Sequence, residues 1–327
     1  MKRRTLLAIA LVSFSASALA PLGAHAQSQY PARPIRVIVP FSPGGVVDTI
    51  GRLWAQRVGP SLGTIVVDNR GGAGGTIGAG EVARSQADGY TLLLGNTSTQ
   101  VLNPEIMRPA PYNPGRDFVT IDIVAISATS ISIHPSLPVR NLKDLIAYAR
   151  ANPGKLSYGS AGAGTLTHLA GEMFKQRAGG LVMTHVPYKG AGPGITDLTS
   201  GYIPIMTPNV TARLLSLHKT GRIRILAVNA PARLKGAPDI PTARETLKEM
   251  IAQLFTGVFA PAGTPPAVVD RVSQATRTAL SDAGFQKILI NSGFEPVLNS
   301  SPAKAQQFVN EERERFVPLL KATGLKK

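Results

Sequence analysis

The sequence predicts an α/β protein with two doubly wound lobes, and three observations carry this prediction. β-branched runs alternate with segments of helical spacing along most of the chain, which is typical of βαβ units and a largely parallel sheet. A chain of 327 residues usually divides into two domains. The apolar runs Ala125–Ile133 and Phe255–Phe259 could each carry the chain between lobes. We therefore assign residues 27–126 and 257–327 to one lobe and 127–256 to the other.

The individual elements are predicted from hydrophobic periodicity and from the residues that start and stop each segment. Leu142–Ala151, for example, begins after the N-cap residue Asn141 and ends before Pro153-Gly154. The predicted strands are Ile35–Val39, Thr64–Val67, Tyr90–Leu94, Ala125–Ile133, Lys155–Tyr158, Met183–Val186, Ile203–Met206, Arg222–Val228, Phe255–Phe259 and Phe294–Leu298. The predicted helices are Val46–Val58, Ile77–Arg84, Leu142–Ala151, Leu166–Arg177, Ile195–Ser200 and further helices between Pro266 and Leu320.

The amino terminus has the pattern of a cleavable secretory signal peptide. Basic residues at positions 2–4 precede an apolar stretch from Leu6 to Ala20, and Ala24-His25-Ala26 offers cleavage after Ala26, with Ala20 as an alternative. The stretch is interrupted by serines and is shorter than the ~20 apolar residues that span a bilayer. The Arg3-Arg4 pair matches a twin-arginine signal only in part. We expect residues 1–26 to be removed and the rest to act outside the cytoplasm.

The net charge and the absence of cysteine exclude or disfavour several classes of function. The signal peptide holds three of the 35 Lys and Arg residues and none of the 19 acids, so cleavage lowers the net charge from +16 to +13. Basic residues are scattered singly and aromatics are only 6% of the chain, which disfavours nucleic-acid binding. The excess of Lys and Arg over Asp and Glu is compatible either with a basic, solvent-exposed surface that has no specific role or with attraction of an anionic solute. The absence of cysteine excludes thiol catalysis and cysteine-based zinc sites.

Three loops between a predicted strand and a predicted helix are rich in glycine and small hydroxyl residues. They are Phe41–Gly45, Asn69–Gly78 and Gly159–Thr165. Such a loop presents backbone N–H groups and the positive end of a helix dipole, which suits an anion. Glycine can also serve only the turn itself, but three such loops at the carboxyl ends of strands favour a ligand site.

Motifs of common enzyme classes are missing or misplaced. The stretch Gly78–Ala83 fits G-x-G-x-x-A but lies inside a predicted helix, so a dinucleotide site is not expected. There is no Walker loop and no G-x-S-x-G elbow. His168 could face a ligand or could pack or cap its helix, whereas His185 on an apolar strand is interpreted as a core histidine. Asp48 is interpreted as a helix N-terminal residue. We expect no catalytic residues, no metal and no cofactor.

Several segments in fixed order resemble one family, the Bug or TctC-like substrate-binding proteins of tripartite tricarboxylate transporters. The matching segments are Tyr30–Arg36, Val39–Gly45 with Asp48, Asn69–Gly75, Asp88–Leu92, Tyr158–Thr165, His168–Glu172, His185–Gly190, Pro238–Thr242 and Phe259–Pro265. The resemblance covers nearly the whole chain after the signal peptide. It implies a periplasmic Venus-flytrap fold that closes over one small solute and hands it to membrane permease subunits.

The resemblance also implies which residues hold the ligand. One carboxylate would be bound by the glycine loops Phe41–Gly45 and Gly159–Thr165, called the first and the second loop below, and the segment after the third strand would meet the far end of the ligand. The residues of this chain that match the family's ligand-binding positions are Phe41, Ser42, Gly44, Gly45, Asn96, Ser98, Thr99, Ser160, Ala161, Gly162, Gly164 and Thr165. His168 and Thr207 are further candidates. The family's ligands are dicarboxylates, tricarboxylates, amino acids or aromatic acids.

One segment departs from the family pattern. An aromatic and an acidic or amide residue often follow the strand of the second lobe in the family, whereas this chain has Ile205–Asn209 there. The identity of the substrate therefore cannot be inferred from that of a relative.

We expect a monomer. Two alternatives stay open, namely delivery of the closed form to a membrane sensor kinase, and an enzyme that acts on carboxylates.

Overall fold

The structure, a computed structural model, describes residues 30–326. The predicted signal peptide and its cleavage after Ala26 lie outside the described residues. The strands are β1 Ile35–Val39, β2 Ile65–Asn69, β3 Thr91–Asn96, β4 Phe118–Ala128, β5 Ser130–Ile133, β6 Leu156–Ser160, β7 Met183–Pro187, β8 Ile205–Met206, β9 Arg224–Val228, β10 Gln253–Pro261 and β11 Phe294–Pro296. The helices are α1 Val46–Leu62, α2 Thr76–Ala83, α3 Asn103–Ile106, α4 Pro114–Asp117, α5 Leu142–Ala151, α6 Leu166–Arg177, α7 Ala191–Ser200, α8 Ala212–Lys219, α9 Pro266–Ser281, α10 Ala283–Asn291 and α11 Pro302–Ala322.

These elements form two mixed sheets. The first has the strand order β2-β1-β3-β10-β4-β11, in which β1 runs parallel to β2 and β3, and β10 runs antiparallel to β3 and β4. The second has the order β7-β6-β8-β5-β9, in which β6 runs parallel to β7 and β8. The predicted α/β class with two lobes is confirmed. In each sheet the parallel strands bring their carboxyl ends to one edge, where the glycine loops follow.

The helices lie where apolar faces can be buried. The tryptophan Trp54 in α1 is fully buried, and its indole N–H donates to Thr276 Oγ1 of α9 at 3.0 Å. The predicted helices Leu142–Ala151 and Leu166–Arg177 are confirmed with the same bounds. The caps explain this accuracy, because Asn141 and Thr165 each accept a hydrogen bond from a backbone N–H of the first turn.

Two predicted elements need correction, and three helices are absent from the predictions. The single strand Ala125–Ile133 is wrong, because the chain leaves the first sheet at Thr129, whose N–H donates to Ala252 O, and enters the second sheet at β5. Helix α7 begins four residues earlier than predicted, at Ala191, because Pro193 falls in the first turn, where its missing N–H costs nothing. The helices without a prediction are α3, α4 and α8.

The predicted lobe limits fall inside strands. The limit 126/127 lies within β4, and the limit 256/257 lies within β10, so both strands stay whole in the first sheet. The chain passes between the sheets around Thr129 and again between β9 and β10. None of the helices within residues 30–326 combines the length and apolar content needed to cross a bilayer.

Candidate functional site

The first glycine loop, Phe41–Gly45, connects β1 to α1 and is held from behind by a buried carboxylate. Asp48 is the third residue of α1, and its Oδ2 accepts from Gly44 N at 3.0 Å. Its Oδ1 accepts from Asn69 Nδ2 at 2.9 Å and from Arg52 Nε at 3.0 Å. The same Asn69 amide donates to Phe41 O at 3.0 Å. An acid that reaches back to the N–H before the helix is a capping arrangement.

The charge of Asp48 is matched within this network. Burial would raise the pKa of Asp48, but hydrogen bonds from Arg52, from Gly44 N–H and from Asn69 outweigh burial and hold that pKa below its ordinary value. Asp48 is therefore ionised and paired with Arg52 at neutral pH. This agrees with its interpretation as a helix N-terminal residue.

The second loop, Gly159–Thr165, connects β6 to α6 and is held in place by uncharged groups. Ser160 Oγ lies 2.7 Å from His185 Nε2, and Gly162 N donates to Ser160 Oγ at 3.1 Å. Thr165 Oγ1 donates to Gly162 O at 2.7 Å. Gly164 N donates to His168 Nδ1 at 3.1 Å. The loop thus satisfies most of its own polar groups without a charged residue.

Two glycines of this loop have conformations or contacts that other residues would disturb. Gly162 has φ +137° and Gly164 has φ +75°. A Cβ on Gly164 would overlap Asn103 Oδ1 of the facing lobe, and a Cβ on Gly162 would lie 3.0 Å from Tyr188 O. Gly44 in the first loop has φ +85°, but a Cβ there would come close only to the end of the Arg213 side chain, at 3.1 Å, and would be in ordinary contact with Gly192 Cα at 3.8 Å.

A stack of aromatic rings supports the second loop. The His168 and His185 ring centroids are 3.7 Å apart with planes 7° from parallel, and the Tyr158 ring stacks on His185 at 5.0 Å. Burial lowers the pKa of each histidine to about 4. For His185, the neighbouring His168 lowers the pKa further, because two adjacent rings cannot readily both be charged. Both imidazoles are therefore neutral at pH 7. His185 has a hydrogen-bond partner in Ser160, but it is half-buried and not the core histidine expected from the sequence.

The segment after β3 faces the second lobe. Asn96 Oδ1 accepts from Thr99 N at 3.0 Å, and Asn96 N donates to Thr99 Oγ1 at 3.0 Å. Between these two residues, Ser98 Oγ accepts from Leu166 N, the first residue of α6, at 3.0 Å. The lobes also meet at Ser42, whose hydroxyl donates to Lys189 O at 3.0 Å.

These loops enclose a small space between the lobes, which we call the inner cavity. Its volume is about 20 Å³, little more than one water molecule needs. The lining residues are Phe41, Gly45, Val46, Val47, Asn96, Ser98, Ala161, Thr165, Thr167, Ala191, Asn209 and Leu254. None of these side chains ionises, and Val46, Val47, Thr165 and Thr167 bring the first turns of α1 and α6 to it. A space of this size holds no solute larger than water unless the surrounding loops move.

A second cavity of about 340 Å³ lies against other residues of the same loops. Its lining residues are Ala73, Gly74, Asn103, Ile106, Met107, Gly162, Ala163, Gly164, Pro187, Tyr188 and Lys189. Asn103 Nδ2 donates to Gly74 O at 2.7 Å, so its side chain stands at the seam between lobes. Over residues 30–326, no group of three or more His, Asp or Glu side chains is placed to hold a metal ion.

The structure brings together part of the predicted site. The predicted residues that line the inner cavity are Phe41, Gly45, Asn96, Ser98, Ala161 and Thr165. Gly162 and Gly164 line the second cavity, while Ser42, Gly44, Thr99 and Ser160 lie in the loops without lining either cavity. His168 lies behind the second loop as an acceptor for Gly164, and Thr207 Oγ1 donates to Thr167 O at 2.6 Å; these two also line neither cavity.

Six lining residues of the inner cavity were not predicted. Val46, Val47 and Thr167 belong to the first turns of the helices that follow the glycine loops, so the loop motif followed by helical spacing could have identified them. Asn209, Leu254 and Ala191 come from segments that only the tertiary fold brings to the cavity. Within the departing segment Ile205–Asn209, the cavity is lined by Asn209 rather than by Thr207.

Comparisons with known proteins agree with this architecture. A family model described as the tripartite tricarboxylate transporter family receptor matches residues 50–325. The chain is 34% identical to Protein BugT of Bordetella pertussis over 326 residues, which covers 99% of this chain and 98% of that protein. The solved structure of periplasmic binding protein BugD is similar with a TM-score of 0.86 at 33% identity, covering 91% of this chain and 100% of that chain.

A further solved structure, R. palustris Rpa4515 with adipate, is similar with a TM-score of 0.87 at 34% identity, covering 90% of this chain and 98% of that chain. The matched family and structures are binding proteins. They confirm the predicted periplasmic-binding-protein architecture and a binding rather than an enzymatic role.

Proposed function

The chain belongs to the tripartite tricarboxylate transporter receptor family, and from this premise we propose that it captures a small organic carboxylate between its lobes. In this proposal the protein is exported, loses its signal peptide near Ala26, and delivers the solute to a membrane permease of the tripartite tricarboxylate type. The two predicted lobes, 27–126 with 257–327 and 127–256, would move against each other, with β4 and β10 kept whole in the first lobe. The relative Rpa4515 was solved with adipate, a carboxylate, which supports this class of ligand.

One observation carries the proposal: the first turns of two helices converge on a cavity whose lining has no charged side chain among residues 30–326. The N-terminus of a helix carries about half a positive charge together with N–H groups that have no partner in the helix. A carboxylate at this point would receive stabilisation from both lobes at once. It would therefore favour the closed arrangement over the open one, which is how a ligand shifts a conformational equilibrium.

The candidate binding residues take different parts in this proposal. The loops with Phe41, Gly45, Ala161 and Thr165 surround the carboxylate, and Asn96 with Ser98 meets the rest of the solute. Ser42 and Gly44 shape the first loop and its contact with the facing lobe. Ser160, His168 and Thr207 hold the second loop from behind.

The test is calorimetric titration of protein that has been unfolded and refolded, so that no co-purified solute remains. The panel contains linear monocarboxylates, dicarboxylates from succinate to adipate, citrate, benzoate and amino acids. We expect at least one carboxylate to bind with a one-to-one stoichiometry and to raise the melting temperature. Binding of only neutral or amine solutes would contradict the proposal.

A further inference from the structure

The first loop meets the start of helix α7 through main chain rather than through side chains. Gly192 is the second residue of α7, where it is buried. A Cβ atom added to Gly192 would overlap Pro43 O, and the next nearest atoms are Pro43 C at 3.4 Å and Gly44 Cα at 3.8 Å. All three atoms belong to the first loop, which is part of the other lobe. A residue with a side chain could not make this contact without displacing the loop.

The residues just before Gly192 contact the same loop in a similar way. Ser42 N and Ser42 Oγ both donate to Lys189 O, at 3.3 Å and 3.0 Å. A Cβ atom on Gly190 would lie 2.9 Å from Ser42 N. Residues 189–192 therefore pack along residues 42–44 almost entirely through backbone atoms, and the contact at Gly192 is the end of a continuous interface.

This interface adjoins the inner cavity. Gly45 and Ala191 lie next to it in the two lobes, and both line the cavity, whereas Gly192 lines neither cavity. A Cβ atom on Gly45 would be 3.7 Å from Ala191 Cβ and 3.8 Å from Ala191 N, which are ordinary van der Waals distances. If a side chain at position 192 displaced the first loop, Gly45 and Ala191 would move apart and this wall of the cavity would open.

We propose that Gly192 is a positioning residue for solute capture, because its missing side chain lets Pro43 O pack on α7 and so brings Gly45 and Ala191 together around the bound solute. This inference rests on the proposed function. Gly192 acts through its neighbours and does not touch the solute. A side chain at this position would collide with the other lobe, so the lobes would be held apart and the apparent affinity would fall by the same factor as the population of the closed form.

The test compares Gly192→Ala with Gly59→Ala as a matched control. Gly59 is also a helical glycine followed by proline, but no atom lies within 4 Å of a Cβ added to it. The two variants therefore share the local cost of alanine before proline in a helix and differ in the contact between lobes. Refolded proteins are titrated by calorimetry with the tightest acid of the carboxylate panel. We expect the affinity of G192A to fall about tenfold and that of G59A to stay within about twofold of wild type.

Urea unfolding without solute distinguishes a positioning role from a merely structural one. Separation of the lobes relieves the overlap at position 192, so the urea midpoint of G192A should equal that of G59A. A midpoint of G192A well below that of G59A, together with the weaker binding, would assign Gly192 to the stability of the fold and overturn the inference.

The remaining outcomes are also decisive. Unchanged affinity in folded G192A would overturn the inference but leave carboxylate capture intact, whereas silence of the wild type across every carboxylate would overturn both. If G192A does not fold, Gly71→Ala replaces it, because a Cβ atom on Gly71 would lie 3.1 Å from Lys189 O in the same interface. We expect G71A to bind about threefold more weakly than G59A, and equal affinities of these two variants would refute the positioning role.

Discussion

The two glycine loops have the same position in their lobes but are supported by different chemistry. The first loop is held by the ionised Asp48 and its partners Arg52 and Asn69. The second loop is held by hydroxyl groups and by the neutral rings of His168 and His185. The first turn of α1 thus contains an acid, whereas the first turn of α6 contains none.

This difference separates the roles of the loops. At α1 the positive end of the helix dipole is already partly compensated by the carboxylate of Asp48. At α6 no carboxylate is present, and the first-turn N–H groups of Leu166 and His168 donate only to the hydroxyl oxygens of Ser98 and Thr165. A solute carboxylate should therefore depend more on the second loop than on the first. The predictions below test this asymmetry.

The largest effect is expected for alanine at the two glycines with similar backbone angles. Gly164→Ala and Gly44→Ala impose similar strain, since their φ angles are +75° and +85°. At position 164 the new Cβ overlaps the Asn103 amide across the lobe seam, whereas at position 44 it meets a flexible arginine end. We expect a loss of solute affinity of about a hundredfold for G164A, or about 2.7 kcal/mol, and less than tenfold for G44A. Calorimetry that gives the reverse order would contradict the asymmetry.

The next effect concerns the stability of the first loop. Asp48→Asn removes the charge from a buried network and should lower the free energy of unfolding by about 2 kcal/mol at pH 7. Because the pKa of Asp48 is lowered in the folded protein, its contribution is full at neutral pH and is lost as pH falls through that pKa. The difference between wild type and variant in urea unfolding should therefore shrink at pH 3.

Asp144→Asn is the matched control for this variant. Asp144 holds the same third position in α5 and accepts from Arg140 N at 2.9 Å, but its hydrogen bond is exposed. Its replacement should cost less than about 1 kcal/mol. Equal losses of unfolding free energy in the two variants would show that burial of Asp48 does not increase its contribution to stability.

A smaller effect is expected from the histidine pair of the second loop. Folding lowers the pKa of His168 and His185 to about 4, so the unfolded chain binds more protons between pH 6.5 and 4. Stability should fall as pH decreases through this range, by roughly 1–2 kcal/mol per histidine at pH 5. His185→Gln, which can still bond Ser160, should flatten the profile. Parallel profiles of wild type and variant would show that the pair does not titrate in this way.

The smallest effects concern hydrogen bonds across the cleft. Ser98→Ala removes the acceptor of Leu166 N in a buried contact and should weaken solute binding about fivefold, as loss of about 1 kcal/mol predicts. Ser42→Ala removes an exposed contact with Lys189 and should change affinity less than about twofold. Equal effects of the two variants would show that exposure does not distinguish these contacts.

The sequence predicted the parts of the fold that local signals determine. Helices with clear caps, such as α5 and α6, were predicted to the residue, and the glycine loops were recognised by their composition. The segment Ala125–Ile133 was expected to carry the chain between lobes, but its division into two strands was missed, because only Thr129 separates β4 from β5 and pairing with different sheets divides them. Asn209 and Leu254 could not be placed in the site, since each reaches the cavity through long-range packing rather than through a local motif.

The candidate site shows the same limit. Sequence motifs identified the loops but did not distinguish residues in front of them from residues behind. His168 is the residue directly after Thr167 in the sequence, yet Thr167 lines the cavity and His168 supports the loop as an acceptor for Gly164 N. Neighbouring positions on a helix point in different directions, and the loop motif does not show which one faces the cleft.

Closure of the lobes over a carboxylate is tested most directly by small-angle X-ray scattering from refolded protein, before and after saturation with the tightest acid of the calorimetric panel. We predict a smaller radius of gyration for the saturated wild-type protein, and no change for Gly164→Ala at the same concentration of acid. Tight binding with an unchanged radius of gyration, or full closure of G164A, would contradict it.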